Sequence, residues 1–201
     1  MKRLWWMLLL LLATAHASTN LWVATGRAYG IEPRLLYAIS KIESNVSPLL
    51  VSVNFQKLSP QQYKNLHNAL NYKNIPYKIL SKVIQIQNRN ITEAREVIYF
   101  LDKYGYPSFD IGLMQINNIH KQTLLNKNIE LYDLLSETVN VKVGAEILWD
   151  CYKKHRSPSK AINAYNGKLV GNDYYAKVSA EFRKLLLPHE NSSKNLFYRI
   201  L

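Results

Sequence analysis

The segment Tyr29-Gly30-Ile31-Glu32-Pro33-Arg34-Leu35-Leu36-Tyr37-Ala38-Ile39-Ser40-Lys41-Ile42-Glu43-Ser44-Asn45 decides the reading of this chain. Pro33 stands where an N1 proline opens a helix, because its fixed φ suits the first turn and its missing N–H is not needed there. Beyond it, Leu35, Leu36, Ile39 and Ile42 recur at helical spacing on one face. Gly30 stops a preceding helix, read over Asn20 to Tyr29. Glu43 follows directly beside the apolar face, so the helix ends in a carboxylate. That is an unusual place for an acid, since the helix dipole disfavours negative charge at its C-terminus. An acid held there beside Ile39 and Ile42 is expected to keep its proton at higher pH than usual, as a proton donor must. Taken alone, a helix-end Glu is ordinarily a solvated acid. Its context therefore matters.

Helical signals continue outward. Ser59-Pro60-Gln61-Gln62 combines a capping box with an N1 proline and predicts a helix over Pro60 to Tyr72. Ile75 to Gln87 fits helix or strand equally well. Thr92 reads as the cap of a helix carrying Ala94, Val97, Ile98 and Leu101 and ended by Gly105. Phe109 to Asn117 reads as irregular, with Gly112 letting the backbone turn. Ser136 opens a long helix through Val139, Val143, Ile147, Leu148 and Cys151. Ser157-Pro158 begins another that ends near Tyr165-Asn166-Gly167. Asn172 or Asp173 caps the last helix, which Pro188 stops. Nothing repeats at a fixed period. The expectation is one mainly helical domain.

The N-terminus reads as a secretory signal. Lys2 and Arg3 precede an apolar run from Leu4 to Ala13, and Ala15-His16-Ala17 offers small residues for cleavage after Ala17. The run is about half the ~20 apolar residues a membrane span requires, so no stable span is expected after cleavage. Residues 18–187 are then one domain of ordinary size, with 55–91 as a variable flank or lid. The tail, 188–201, is polar at first, and its last six residues are apolar enough to dock or associate. The formal charge is +12, or +10 without Lys2 and Arg3. Such an excess attracts polyanions, and in an exported protein anionic wall material is the accessible one. The basic residues form no run and no nucleic-acid module, so no nucleic-acid partner is expected. The one cysteine, Cys151, lacks an internal partner and reads as a buried thiol.

No phosphate loop, HExxH, CxxC or GxSxG occurs, and the five histidines are widely dispersed. No metal or cofactor is expected. Four pieces remain. They are Ile42-Glu43-Ser44-Asn45 with its helix, Gly112-Leu113-Met114-Gln115-Ile116-Asn117 preceded by Asp110, Ala164-Tyr165-Asn166-Gly167, and Tyr174-Tyr175-Ala176-Lys177-Val178. In this order they resemble the soluble lytic transglycosylase family, in its small single-domain branch associated with secretion and conjugation systems. Asn140-Val141 and Gly144 match the helix that family places between its second and third motifs.

The resemblance implies a lysozyme-like helical domain of the goose-type lysozyme and lytic transglycosylase kind, with at most a small β element. It implies cleavage of the MurNAc-β-1,4-GlcNAc bond of peptidoglycan to a 1,6-anhydro product, with Glu43 as sole acid and base. Ser44 would orient Glu43. Gly112 would let a sugar approach the backbone, while Met114, Gln115 and Asn117 would line subsites, although Met114 is by its nature as readily core. Tyr165 and Asn166 would hold the acetamido group or the groove wall, and Tyr174 or Tyr175 would reach toward Glu43. Peptidoglycan strands are the implied partner, in the periplasm or wall space, together with proteins of a secretion or conjugation apparatus. Two other readings are a lysozyme-like hydrolase with Asp110 as second acid, and a wall-binding assembly component without catalysis. The chain departs from the family pattern in Gly167-Lys168, where many relatives continue Ala-Gly. It also has a longer Phe55–Thr92 segment and lacks a relative's paired cysteines.

Overall fold

The structure is a computed structural model that describes residues 21–171, 173–186, 196 and 197. The expected signal segment, Asn172, Pro188 and most of the tail lie outside the described residues. The protein is mainly helical with a small antiparallel sheet. Residues 43–144 form one compact unit, and the described residues before 43 and after 144 form another. Among the described residues, no helix is long and apolar enough to cross a membrane.

The unit of residues 43–144 is built on five strands: β1 (Leu50–Asn54), β2 (Tyr77–Leu80), β3 (Val83–Gln87), β4 (Phe109–Ile111) and β5 (Ile116–Asn117). They lie in the order β2-β3-β1-β4-β5, all neighbours antiparallel. The register lines up Tyr77, Ile86, Val51, Ile111 and Ile116 in one row, and Ile79, Ile84, Val53 and Phe109 in the second row beyond it. Residues two apart share a face, so both rows point to the same side. Val51, Val53, Ile84, Ile86, Phe109, Ile111 and Ile116 are buried there, each contributing about 1.5–3 kcal/mol. Helix α4 (Ile91–Lys103) packs on β1 and on the 3₁₀ turn Leu131–Leu135. Its buried face is Ala94, Val97, Ile98 and Leu101, as its periodicity predicts.

Helix α3 runs over Pro60–Tyr72 with the predicted capping box: Ser59 Oγ accepts from the Gln62 N–H, and Gln62 Oε1 from the Ser59 N–H. An apolar groove of about 240 Å³ between α3 and α4 is lined by residues such as Leu66, Leu70 and Phe100. It holds none of the motif residues. Segment 55–91, expected as a flank or lid, is built into the sheet, because its β3 pairs with β1. The ambiguous run Ile75–Gln87 is a hairpin, and the sheet is the small β element expected beside the helices. Two expectations are corrected. Asn90, not Thr92, caps α4, its Oδ1 accepting from the Glu93 N–H at 2.9 Å while Glu93 Oε1 accepts from the Arg89 N–H. The Phe109–Asn117 segment is not irregular throughout, since its ends are β4 and β5.

The other unit holds a first helix, α1, described over 21–29, most of α2 (Pro33–Ser44), the later part of α6 (Glu137–His155), α7 (Pro158–Tyr165) and α8 (Tyr174–Lys184). The remaining helix, α5 (Lys121–Leu125), belongs to the 43–144 unit. Helix α1 stops at Gly30, whose φ of 66° favours glycine. Trp22 meets the Tyr37 ring edge-on at 5.7 Å. The tail returns to this unit: the Glu32 N–H donates to the Leu196 carbonyl at 2.9 Å, and Phe197 bridges Ile31. The Phe197 ring stacks on Tyr152 with centroids 4.1 Å apart. Cys151 is half-buried rather than fully enclosed, and burial, then neighbouring Asp150, raises its thiol.

Candidate active site

Helix α2 ends where the sequence predicts. Leu35, Leu36, Ala38 and Ile39 are buried, Glu43 is half-buried, and Ser44 is its last residue. The chain then turns through Asn45 and Val46, both left-handed at φ 55° and 60°. A β-branched residue in that region is strained, so surrounding contacts must hold it there. Ser44 supplies two of them. Its Oγ accepts from the Ser47 N–H at 3.1 Å and donates to the Leu113 carbonyl at 2.7 Å. The residue after the carboxylate thus ties the helix end to the second motif.

The second motif is a turn between β4 and β5. The Gly112 N–H donates to the Leu50 carbonyl at 2.8 Å, and the Gln115 N–H to the Gly112 carbonyl at 3.1 Å. Gly112 has φ 77°, and a Cβ there would meet the Leu134 carbonyl at 2.7 Å and crowd the Asn140 amide. That glycine is therefore required by close packing. Met114 is 0 % exposed and lies against Gly144, where a Cβ would run into its side chain. Gln115, half-buried with φ 46°, turns its Nε2 to the carbonyls of Gly112 at 2.8 Å and Leu50 at 3.3 Å. Asn117 Nδ2 donates to Asp110 Oδ1 at 2.7 Å and to Ser108 Oγ at 3.2 Å, while its Oδ1 accepts from the Ile119 N–H. Burial, partly offset by Asn117 and Lys57, pushes the Asp110 carboxyl up to about 6.

One organising residue has no predicted role. Asn140 of α6 is 0 % exposed, and its amide is used three times. Oδ1 accepts from the Met114 N–H, and Nδ2 donates to the carbonyls of Ile111 and Leu134, all at 2.8 Å. Its sequence signal is a match to the family's intervening helix, without a function attached. Apolar spacing marks Val139, Val143, Ile147, Leu148 and Cys151 on α6; of these Val143 and Leu148 are buried and the other three half-buried, while Asn140, Gly144 and Ala145 also turn inward.

The third and fourth motifs lie in the other unit. Tyr165, half-buried, is the last residue of α7, and exposed Asn166 follows as its C-cap. Gly167 continues the chain at φ 80°, its N–H donating to the Ala164 carbonyl. Tyr174 begins α8 and is 6 % exposed, on one face with buried Val178 four residues on. Tyr175 is half-buried, and its N–H donates to Asn163 Oδ1 at 2.9 Å. Asn163, which no motif marks, thus links α7 to the start of α8. Asp173 holds the N-cap position of α8 without capping it, its carboxylate instead pairing with Lys177 at 3.0 Å. Among the described residues, no three His, Cys, Asp or Glu side chains gather as a metal site.

Comparison with known proteins extends this picture. The chain is similar to the invasion protein IagB of Salmonella typhimurium strains SL1344 and LT2 and of Salmonella typhi. Each is 35% identical over 85 residues, which is 39% of this chain and 53% of the relative. The chain thus spans about half the length of the curated relatives it matches. No solved structure matches it significantly. Residues 20–181 match the transglycosylase SLT domain, a span that contains all four motifs, and the protein belongs to that family.

Proposed function

We propose that this protein is an exported peptidoglycan lytic transglycosylase that cleaves the MurNAc-β-1,4-GlcNAc bond. Glu43 protonates the bridging oxygen, and the C1–O4 bond breaks as the muramyl acetamido oxygen takes C1. The Glu43 carboxylate then removes the proton from the 6-hydroxyl of the same sugar, and O6 displaces the acetamido oxygen at C1. Glu43 regains its proton, a 1,6-anhydro end is left, and no water is consumed. Ser44 fixes the carboxylate. Met114 and Asn140 hold the turn that presents Gly112, Gln115 and Asn117. Tyr165, Asn166 and one of Tyr174 and Tyr175 contribute further substrate contacts.

The observation that carries this reading is the Ser44 hydroxyl on the Leu113 carbonyl, which fastens the acid-bearing helix end to the candidate sugar-contacting turn. Residues 1–17 direct export, and the positive charge suits an anionic wall polymer. We read the setting as local wall opening for a secretion or conjugation apparatus, supported by similarity to proteins named for invasion. The test is clearing of purified murein sacculi by the mature chain and by Glu43→Gln. The native chain should solubilise murein and the equally folded variant should not. Equal clearing by both contradicts the assignment of Glu43, and binding without clearing by either favours an assembly component. The hydrolytic reading has one observation in its favour: Asp110, with its carboxyl up at about 6, is suited to act as a base near neutral pH. The products decide between the two.

A further inference from the structure

The sheet of residues 43–144 has a second face, opposite its apolar rows, that runs past the motif residues onto strands no motif claims. In register, Asn117 on β5 faces Asp110 on β4, Asp110 faces Ser52 on β1, Ser52 faces Gln85 on β3, and Gln85 faces Lys78 on β2. Directly opposed residues point to the same side, so five polar side chains form one line across all five strands. With strands about 4.8 Å apart, the line is about 19 Å long. The apolar rows of the sheet lie on the other face. At one end the line begins at Asn117 of the second motif. At the other it ends on the hairpin supplied by the long segment between the first two motifs.

Two observations mark this line as a place for a ligand. Ser52, at its centre, is 4 % exposed, yet its Oγ has no hydrogen-bond partner. Such an orphan is rare, and an incoming polar group would satisfy it. At the hairpin end, Leu80 shares the face with Lys78 and is exposed, with Val83 opposite it. An apolar platform beside an amide and an ammonium is suited to a sugar ring carrying an acidic arm. The ring's C–H face lies on Leu80 and Val83, its acetamido group reaches Gln85, and a carboxylate reaches Lys78.

We propose that the β2–β3 hairpin extends the glycan-binding face by one subsite, in which Gln85 and Lys78 take a muramyl residue through its peptide stem. This inference rests on murein being the substrate. The test is the affinity of the mature chain, read by calorimetry, for un-cross-linked glycan strands that carry stem peptides and for chito-oligosaccharides, which carry neither stem nor carboxylate. Lys78→Glu should bind the stem-bearing strands about fivefold more weakly than the native chain and bind chito-oligosaccharides unchanged. Lys64→Glu makes the same charge change on an exposed position of α3, and it should lose less than about twofold on either material. Equal binding by Lys78→Glu and the native chain overturns the subsite, and so does an equal loss in Lys64→Glu. Murein release by the native chain is read separately. Release with unaffected Lys78→Glu binding removes the subsite alone. No release, with binding lost only in Lys78→Glu, keeps the subsite and removes the cleavage.

Discussion

Asn140→Asp preserves the shape of a buried side chain and changes what one outer atom can do. The native Nδ2 donates to the Ile111 and Leu134 carbonyls at 2.8 Å, and Oδ1 accepts from the Met114 N–H. An ionised carboxylate would keep the bond to Met114 but set an oxygen against two carbonyl oxygens. Two buried hydrogen bonds are lost at about 1–1.5 kcal/mol each, and two stranded carbonyls and their repulsion add to this, giving about 4 kcal/mol at pH 7. In a domain of this size that lowers Tm by about 10 °C. Protonation returns one donor, so the folded variant holds its proton to higher pH than an unfolded Asp near ~3.9. The deficit is therefore smallest below about pH 4 and grows as pH rises through the folded pKa. Urea unfolding of variant and native chain at pH 4 and pH 7 reads this directly. A variant within about 1 kcal/mol of native at both pH values would refute the role given to Asn140.

Two other perturbations test separate parts of the fold. Phe197→Ala removes a ring that is 6 % exposed and stacked on Tyr152, and it should cost about 3 kcal/mol in thermal unfolding. An unchanged Tm would contradict the docking of the tail. Asp110 has a folded pKa of about 6 against an ordinary 3.8, so the native state holds the extra proton and loses stability as pH rises from about 4 through 6. That loss totals about 3 kcal/mol. Asp110→Asn, which keeps an oxygen for Asn117 Nδ2, should flatten this slope in denaturation curves at pH 4, 5, 6 and 7. An unchanged slope assigns the titration elsewhere.

Local chemistry is legible in the sequence where it closes within one turn. Ser59, Pro60 and Gln62 make their cap among themselves, so the start of α3 needs nothing from the rest of the chain. The carboxylate at the end of α2 is legible for the same reason, since Pro33 and the apolar spacing locate the helix. The hairpin is not. Over Ile75–Gln87 the apolar residues, with the pairs Ile79-Leu80 and Val83-Ile84 among them, fit a period of two and one of 3.6 alike, and β3 becomes a strand because β1 offers it an edge. The inward face of α6 is hidden for another reason. Apolar spacing finds valines and isoleucines, whereas Asn140 turns in to serve three backbone groups and Gly144 turns in to admit Met114. Apart from the Leu134 carbonyl, six residues away, those partners come from Ile111 and Met114 and are in place only once β4 and β5 are formed. Phe197 is half legible: its apolarity says that it docks or associates, and only the fold supplies Ile31 and Tyr152 as the place.

The mass of the glycan products tests the central claim most directly. Purified murein is digested with the mature chain and with Glu43→Gln, and the soluble muropeptides are weighed by mass spectrometry. The proposed mechanism predicts muramyl ends lighter by one water than hydrolytic ends, formed by the native chain and missing with the variant. Full-mass reducing ends from the native chain would contradict the anhydro mechanism and turn attention to Asp110 as a second acid.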